Sequence, residues 1–206
     1  MEPDVAAAYD TVAEDYAVLL RSWEGSIRRE EEALAGFAAA LGPGPVADVG
    51  SGTGRLTGPL RALGLPVVSV DLSPGMLAVA RRDHPDVPAV VGSLAHLPLA
   101  DGGLAGALAW YSTIHTPTER LPHLFGELRR ALRPDGLLLV GFQVGDEVRG
   151  GRRHLYGHDV VLDSYRRPPD VVAAAATAAG LVEVARTVRA PEPPEDCAQA
   201  HLLLRR

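Results

Sequence analysis

Three glycines lie where a ligand could approach the main chain. Gly50, Gly52 and Gly54 directly follow the apolar run 46–49, and helical periodicity begins just after them. Glycines between a strand and a helix let a bound group lie against the backbone, because no side chain intervenes. The spacing does not fit G-x-G-x-x-G, since the last position is an arginine counted from Gly50 and a threonine counted from Gly52. A pyrophosphate at this helix start is therefore disfavoured.

An acidic residue follows the glycines at a distance that suits a nucleoside. Asp71 ends the second apolar run, about 20 residues past the glycines, where a carboxylate in a doubly wound sheet can accept both ribose hydroxyl protons. The glycines and Asp71 together predict an adenosine-containing ligand that is not held chiefly by phosphates. S-adenosylmethionine is the common cofactor that fits this description.

A histidine follows the fourth predicted strand, at the sheet edge where substrates bind in open α/β folds. It is His115, in the segment LAWYSTIHT. If S-adenosylmethionine is the ligand and donates its methyl group, the transfer from the sulfonium is an in-line displacement, so a general base is needed only if the acceptor atom carries a proton. We interpret His115 as a candidate base, with structural hydrogen bonding or substrate contact as alternatives. Trp110 and Tyr111 could form a wall of the same pocket, or belong to the core.

His154, Tyr156 and His158 are candidates for the acceptor pocket, in a glycine- and arginine-rich stretch without clear periodicity. Two histidines four residues apart would need a helix and further ligands to hold a metal, so no metal is expected. Two pairs of arginines are typical of a solvated surface but could meet an acidic substrate: Arg152, Arg153, Arg166 and Arg167.

The elements that must position these residues alternate along the chain. Strands are predicted over 46–49, 66–70, 87–91, 104–110, 137–142, 181–189 and 199–204. Helices are predicted over 4–20, 24–41, 55–64, 74–83, 119–132 and 168–179, with Gly25 between the first two. Residues 133–136 read as a turn, and 145–158 as a loop over the active face. The alternation predicts an α/β fold, a doubly wound, mostly parallel seven-stranded sheet with helices on both faces.

The composition fits one folded domain. At 206 residues, with 47% hydrophobic and 22% charged residues, the chain has room for a single α/β domain. We divide it into an N-terminal helical cap (1–41), a cofactor-binding core (45–142) and a substrate loop with C-terminal strands (143–206). All 20 basic residues are arginine, which excludes a Schiff-base or phosphate-loop lysine. Cys197 is the only cysteine, which excludes a disulfide framework.

Charge and hydropathy indicate where the chain acts. The first residues lack the basic and apolar regions of a secretory signal, and no run approaches the roughly 18 apolar residues of a membrane span. We therefore predict a cytoplasmic protein with no membrane partner. The expected oligomeric state is a monomer or homodimer, which these features do not decide. The net charge of −6 argues against nucleic acid as a partner.

Four segments in order resemble class I S-adenosylmethionine-dependent methyltransferases, of the small-molecule type with a type 11/25-like domain. DVGSGTG at 48–54 resembles the first motif and DLSPGMLAVAR at 71–81 the second. YDTVAEDYA at 9–17 resembles the N-terminal helix that closes over the cofactor, and LRPDGLLLVGF at 132–142 the approach to the fifth strand. The resemblance implies a Rossmann-like fold and methyl transfer to an O, N or C atom of a small metabolite, leaving S-adenosylhomocysteine.

The resemblance also implies a set of cofactor-binding residues. They are Tyr9, Tyr16, Asp48, Gly50, Ser51, Gly52, Thr53, Gly54, Asp71, Leu72, Met76, Ser93, Leu94 and Trp110. Asp48 would face the methionine part and Asp71 the ribose, with Leu72 and Met76 against adenine. Ser93 stands where an acidic residue often accepts the adenine amino group, and its hydroxyl can accept that bond with less charge assistance.

Two residues of the first helix have a second interpretation. Tyr9 and Tyr16 would lie near the carboxylate and sulfonium of the cofactor, according to the resemblance. Their spacing of seven on a helix also suits amphipathic residues that cover the core.

The residues that contact the methyl acceptor are expected to come from 1–41 and 143–160.

Three other functions compete with this interpretation. An NAD-dependent oxidoreductase shares the sheet and the ribose acid but would need the phosphate-binding spacing. A nucleic-acid methyltransferase is disfavoured, because the segment AWYSTIH lacks Asn-Pro-Pro or Asp-Pro-Pro and no cysteine is near. A non-catalytic S-adenosylmethionine-binding protein stays open, and it would bind the cofactor without turnover.

Overall fold

The chain begins with two helices, which lead into alternating strands and helices. The structure, a computed structural model, describes residues 2–22, 24–193 and 195–206. The helices in chain order are α1 (Glu2–Ser22), α2 (Glu24–Ala40), α3 (Thr57–Ala62), α4 (Pro74–Asp83), α5 (Leu121–Ala131) and α6 (Pro169–Ala178). Gly25, expected between the first two helices, belongs to α2. No described helix combines the length and apolar character needed to cross a bilayer.

The strands in chain order include all seven that the sequence predicts. They are β1 (Val46–Val49), β2 (Val67–Asp71), β3 (Ala89–Val91), β4 (Leu104–Trp110), β5 (Leu132–Gln143), β6 (Glu147–Arg149), β7 (Arg152–Leu155), β8 (His158–Val161), β9 (Ser164–Arg166), β10 (Val182–Arg189) and β11 (Gln199–Arg205).

Seven of these strands form one sheet, in the order β10-β11-β5-β4-β1-β2-β3. β11 runs antiparallel to both of its neighbours, and the other pairings are parallel. The predicted doubly wound, mostly parallel seven-stranded sheet is confirmed. β1 is buried along its whole length because helices cover both faces of its part of the sheet, which is why three of its four residues are apolar.

Helices fill both faces of the sheet. Phe125 and Leu128 of α5 belong to the apolar cluster on one face, together with residues of α6. Leu34 and Phe37 of α2 belong to the cluster on the other face, where they join Leu60 of α3. The second half of α2 is therefore part of the sheet's packing, as well as part of the segment expected to cap the cofactor.

The prediction of a loop over 145–158 is wrong, because most of this segment forms short strands. β6 pairs with β9, and β7 pairs with β8, in two small antiparallel ribbons. Tyr156 and Gly157 connect β7 to β8 with positive φ angles of 53° and 84°, the backbone of a tight hairpin turn. The strands are three or four residues long, too short to show a period in sequence. Val160 and Leu162 pack this region onto α1.

The starts of two elements, β5 and α5, differ from the predicted boundaries. β5 begins at Leu132 rather than at 137, because Leu132 pairs with Leu104 before the register shifts across the expected turn. Asp135, within that irregularity, has a φ of 62°. The helix expected over 119–132 is α5, and it follows two single 3₁₀ turns at Thr113–His115 and Thr118–Arg120.

Candidate functional site

A cavity of about 850 Å³ opens at the carboxyl ends of β1, β2 and β4, beneath α1. This volume is within the usual range for small-molecule sites. The predicted site residues that line it are Tyr9, Tyr16, Asp48, Gly50, Ser51, Gly52, Thr53, Asp71, Leu72, Met76, Ser93, Leu94, Trp110, Tyr111, His115 and Tyr156. The topology thus brings together residues from both ends of the chain.

The three glycines of the loop after β1 have different surroundings. A Cβ at Gly50 would lie 2.2 Å from the Cβ of Ser112, so this glycine permits close packing against the end of β4. A Cβ at Gly52, where φ is +55°, would meet no protein atom within 4 Å. A Cβ at Gly54 would meet His84, and Gly54 does not line the cavity. Gly52 therefore leaves bare backbone toward the space where a ligand fits.

Asp71 is fixed by the main chain around it. Its Oδ2 accepts a hydrogen bond from the Gly52 N–H at 2.7 Å, and its Oδ1 accepts one from the Ser73 N–H at 2.8 Å. Burial raises the pKa of the Asp71 carboxyl, against the effect of these backbone hydrogen bonds. A carboxylate has about four acceptor positions, so Asp71 retains capacity to accept from a ribose hydroxyl.

Asp48 is a second buried carboxylate in the cavity. Its Oδ2 accepts a hydrogen bond from Thr57 Oγ1 at 2.9 Å, and Thr57 Oγ1 lies 3.1 Å from Ser69 Oγ. Burial raises the pKa of Asp48 to about 6. Two buried carboxylates beside one cavity favour a cationic ligand, because each lacks the hydration that would stabilise its charge.

Two hydroxyls in the cavity wall have no hydrogen-bond partner among the described residues. They are Ser51 Oγ, in the glycine loop, and Ser112 Oγ, just beyond β4. Buried polar side chains are usually hydrogen bonded, so these two oxygens indicate a site for polar groups of a ligand.

An ion pair in the cavity wall was missed by sequence reasoning. Glu30 of α2 is 5% exposed and accepts hydrogen bonds from both terminal guanidinium nitrogens of Arg55. It also accepts a hydrogen bond from the Trp110 indole Nε1 at 2.7 Å. Arg55 directly follows the glycine loop, which was an available signal, whereas Glu30 sits in an acidic run that resembles a solvated helix face.

Aromatic side chains cover the side of the cavity next to α1. The Tyr9 hydroxyl lies 2.8 Å from Nε2 of His115, whose Nδ1 lies 2.5 Å from the carbonyl oxygen of Asp163. Tyr16 contacts Tyr9 edge to face, with ring centroids 6.3 Å apart, and Tyr156 with centroids 4.9 Å apart. Burial raises the pKa of Tyr16. The hairpin between β7 and β8 thus reaches the cavity through Tyr156.

A further wall comes from the C-terminal strands, which the sequence did not assign to the site. Gln199, at the start of β11, pairs with Gln143, at the end of β5, so the connection from β10 to β11 meets the carboxyl edge of the sheet. Arg189 and Glu195 line the cavity there, joined by two hydrogen bonds of 2.6 and 2.5 Å. Tyr111, close by, has a φ of 54°, a strained conformation for a tyrosine.

Two predicted acceptor residues do not line the cavity. His154 contacts Asp159 across the β7–β8 hairpin at 3.0 Å, and His158 contacts Asp15 of α1 at 2.7 Å. Their side chains face these partners because alternate residues of a strand point to opposite faces. Across the described part of the chain, no three His, Cys, Asp or Glu side chains converge as metal ligands.

Two of the four paired arginines are buried. Arg166 is buried with Glu147 and Asp196 as ion-pair partners. Arg167 is 3% exposed and donates to the carbonyl oxygens of Thr113 and Thr116, so it holds the turn that carries His115. Neither arginine forms the expected solvated surface. The side chains of Arg152 and Arg153 lie outside the described residues.

The chain was compared with known proteins. Residues 46–136 match the family model described as a methyltransferase domain. A demethylmenaquinone methyltransferase of Renibacterium salmoninarum is 32% identical over 140 residues, which cover 66% of this chain and 57% of that protein. An uncharacterised methyltransferase of Mycobacterium bovis is 38% identical over 113 residues, which cover 53% of this chain and 44% of that protein. The chain thus spans about half the length of these relatives.

Solved structures share the fold. A Leishmania major protein, described as an S-adenosylmethionine-dependent methyltransferase, superposes with a TM-score of 0.79 at 17% sequence identity. The match covers 98% of this chain and 82% of that one. At this identity the likeness establishes the fold alone, including the helices before the first strand.

Proposed function

The chain carries a domain of the class I S-adenosylmethionine-dependent methyltransferase family, and from this premise we propose that it transfers the methyl group of that cofactor to a small-molecule acceptor. The observation that supports the proposal most is the hydrogen bond between the Gly52 N–H and Asp71, at 2.7 Å. It joins the bare backbone of the loop after β1 to the carboxylate that ends β2, at the wall of one cavity.

The residues in the cavity fit this cofactor. Asp71 offers acceptors for the ribose hydroxyls, and Gly52 offers space where a side chain would intrude. Asp48 offers a buried negative charge near a ligand whose methionine part carries an ammonium and a sulfonium. The Ser51 hydroxyl, which has no partner among the described residues, is a further donor or acceptor beside the loop.

The adenine would lie against α4 and the segment after β3. Met76 is 1% exposed at the start of α4 and lines the cavity with Leu72 and Leu94. Ser93 Oγ accepts a hydrogen bond from the Ala95 N–H at 2.9 Å, and we expect the adenine amino group to bind at this hydroxyl.

The bound cofactor would supply an electrophilic methyl group with a neutral thioether as the leaving group. The protein's part in such a displacement is to align the acceptor behind the methyl group and to exclude water. α1 and the β7–β8 hairpin cover the cavity, through Tyr9, Tyr16 and Tyr156. The wall formed by Arg189, Glu195 and the nearby glutamines would face the acceptor, and it favours a molecule with polar groups.

Calorimetry separates this proposal from its rivals. We expect the purified protein to bind S-adenosylmethionine and S-adenosylhomocysteine and not to bind NAD. Failure to bind either sulfur compound would overturn the proposal, and binding of NAD instead would favour an oxidoreductase. Methyl transfer from tritiated cofactor to a panel of small acceptors then separates an enzyme from a protein that only binds the cofactor.

A further inference from the structure

The environment of His115 fixes which of its ring nitrogens carries a proton. Nδ1 lies 2.5 Å from the main-chain carbonyl oxygen of Asp163, which can only accept a hydrogen bond. Nδ1 of the neutral imidazole must therefore be the N–H donor, and Nε2 must hold the lone pair. Because Nε2 lies 2.8 Å from the Tyr9 hydroxyl, Tyr9 is the donor in that contact.

The two side chains come from distant parts of the chain and meet at the cavity. Tyr9 lies in α1, and His115 ends the 3₁₀ turn after β4, a separation of 106 residues. Their rings also contact edge to face, with centroids 5.5 Å apart. Arg167 holds the backbone of that turn through the carbonyls of Thr113 and Thr116. Both partners of the contact are therefore held in place by ordered secondary structure.

We propose that Tyr9 and His115 form a proton relay that deprotonates a hydroxyl acceptor during methyl transfer. This inference rests on the proposed function, and it names both the class of acceptor and the route of its proton. A phenol oxygen that donates to Nε2 can accept a hydrogen bond from a second hydroxyl at the same time. Tyr9 would thus contact the acceptor, and His115 would act through Tyr9.

The step balances within the groups named. The acceptor oxygen forms a bond to the methyl carbon as the carbon–sulfur bond breaks, and the electron pair of that bond stays on sulfur as the thioether. The acceptor proton moves to the Tyr9 oxygen while the Tyr9 proton moves to His115 Nε2. The positive charge lost from the sulfonium then resides on the imidazolium, whose Nδ1–H still donates to the Asp163 carbonyl.

The relay has a use only for an acceptor that must lose a proton. A carboxylate or a tertiary amine attacks without a base, whereas an alcohol or phenol is a weak nucleophile until its proton is removed. A tyrosine–histidine pair in the cavity therefore suits an acceptor that carries a proton, and a hydroxyl, which can donate directly to the Tyr9 oxygen, is the class to which this inference commits, with O-methylation as the reaction.

Nuclear magnetic resonance tests the proton positions without an acceptor. The protein is labelled with ¹⁵N-histidine and saturated with S-adenosylhomocysteine, and His115 is assigned from its loss in His115→Asn. We expect the Nδ1–H tautomer, with an Nε2 resonance that shifts in Tyr9→Phe and not in Tyr165→Phe. Tyr165 is the matched control, because its ring lies against Arg167 outside the cavity. An Nε2–H tautomer, or no shift in Tyr9→Phe, would overturn the relay.

Kinetics test the acceptor class. Tritiated cofactor is supplied with phenols, catechols, alcohols, carboxylic acids and tertiary amines. We expect turnover with hydroxyl compounds, and a drop in kcat of about 10² to 10⁴-fold in Tyr9→Phe and in His115→Asn, as for loss of a general base. The double variant should be no slower than the slower single variant, because the two groups act as one unit. Tyr165→Phe should retain the wild-type rate.

The outcomes separate this inference from the proposed function. A wild-type protein that does not bind the cofactor in calorimetry overturns the function itself. A protein that binds the cofactor but methylates only carboxylic acids or tertiary amines, or no hydroxyl compound in the panel, overturns the relay alone. Multiplying losses in the double variant, or an unchanged kcat in Tyr9→Phe, would also overturn it.

Discussion

The Trp110 indole Nε1 donates a hydrogen bond to Glu30 at 2.7 Å, although 80 residues separate the two in sequence. The same carboxylate binds the Arg55 guanidinium. Three segments therefore meet at one buried charge: α2, the end of β4 and the segment just after the glycine loop. This contact ties α2 to the cavity wall. Removing Glu30 would leave both Arg55 and Trp110 without their shared partner.

Glu30→Gln should destabilise the protein strongly. The amide can still accept from Trp110, but it leaves the largely buried Arg55 without its negative partner. Breaking a buried ion pair by removing one partner typically costs about 3 to 5 kcal/mol. Urea unfolding of the wild type and the variant measures the difference in the free energy of unfolding.

Two comparisons make the Glu30 measurement specific. Glu14→Gln removes an acid from the exposed Arg82 pair, which solvent screens, and should cost much less than Glu30→Gln. Adding Arg55→Met to Glu30→Gln removes the stranded charge and should recover part of the loss. Equal costs for Glu30→Gln and Glu14→Gln would show that burial does not matter at this pair.

Asp71→Asn should weaken cofactor binding. The amide retains the shape of the side chain but loses the charge and one acceptor, and a hydrogen bond to a charged group is worth about 1.5 to 3 kcal/mol. The Kd for S-adenosylhomocysteine should therefore rise about tenfold or more in calorimetry.

The control for Asp71 is the same substitution on the surface. Asp86→Asn changes an exposed carboxyl just after α4 and should leave the Kd unchanged. Thermal melts of both variants check the fold, because Asp71 also accepts hydrogen bonds from the Gly52 and Ser73 N–H groups. A folded Asp71→Asn protein with wild-type affinity would remove Asp71 from the ribose site.

Gly52→Ala should weaken cofactor binding, whereas Gly64→Ala, with a similar loss of stability, should not. Gly52 and Gly64 have φ angles of +55° and +80°, and a Cβ at either would meet no protein atom within 4 Å. Alanine at either position should cost about 1 to 2 kcal/mol in backbone strain. Only Gly52 lines the cavity, so only Gly52→Ala should raise the Kd for S-adenosylhomocysteine, by about tenfold. Equal affinities of the two variants would contradict ligand approach at Gly52.

The features that could be predicted from the sequence are those whose residues lie close together along the chain. The buried run of β1 and the glycines beyond it are adjacent in sequence, and Asp71 ends the next strand, so their order alone predicts the edge at which they meet. Parallel strands covered on both faces are mostly apolar, which makes them visible as runs. The seven-stranded sheet and the position of the cavity follow from these features.

The missed features depend on contacts between distant segments. Glu30 lies in an acidic run, and only the packing of α2 on the sheet reveals that it is buried. Arg189 and Glu195 reach the cavity because β11 is antiparallel to β5, a pairing that periodicity does not reveal. The contact of Tyr9 with His115 joins the first helix to a turn beyond β4. Each depends on tertiary structure that no local pattern encodes.

Asp48→Asn should stabilise the ligand-free protein, and by more at pH 7.5 than at pH 5. Burial raises the pKa of Asp48 to about 6, above its ordinary 3.8, so the folded state holds the proton more tightly than the unfolded state. The stability that this proton provides is complete below pH 3.8 and is lost as the pH rises through 6. The gain from Asp48→Asn in urea unfolding should therefore grow by about 1 to 2 kcal/mol between pH 5 and pH 7.5. The same variant should bind S-adenosylmethionine more weakly, since it removes a buried negative charge from the cavity. A gain independent of pH would show that Asp48 ionises at its ordinary pKa.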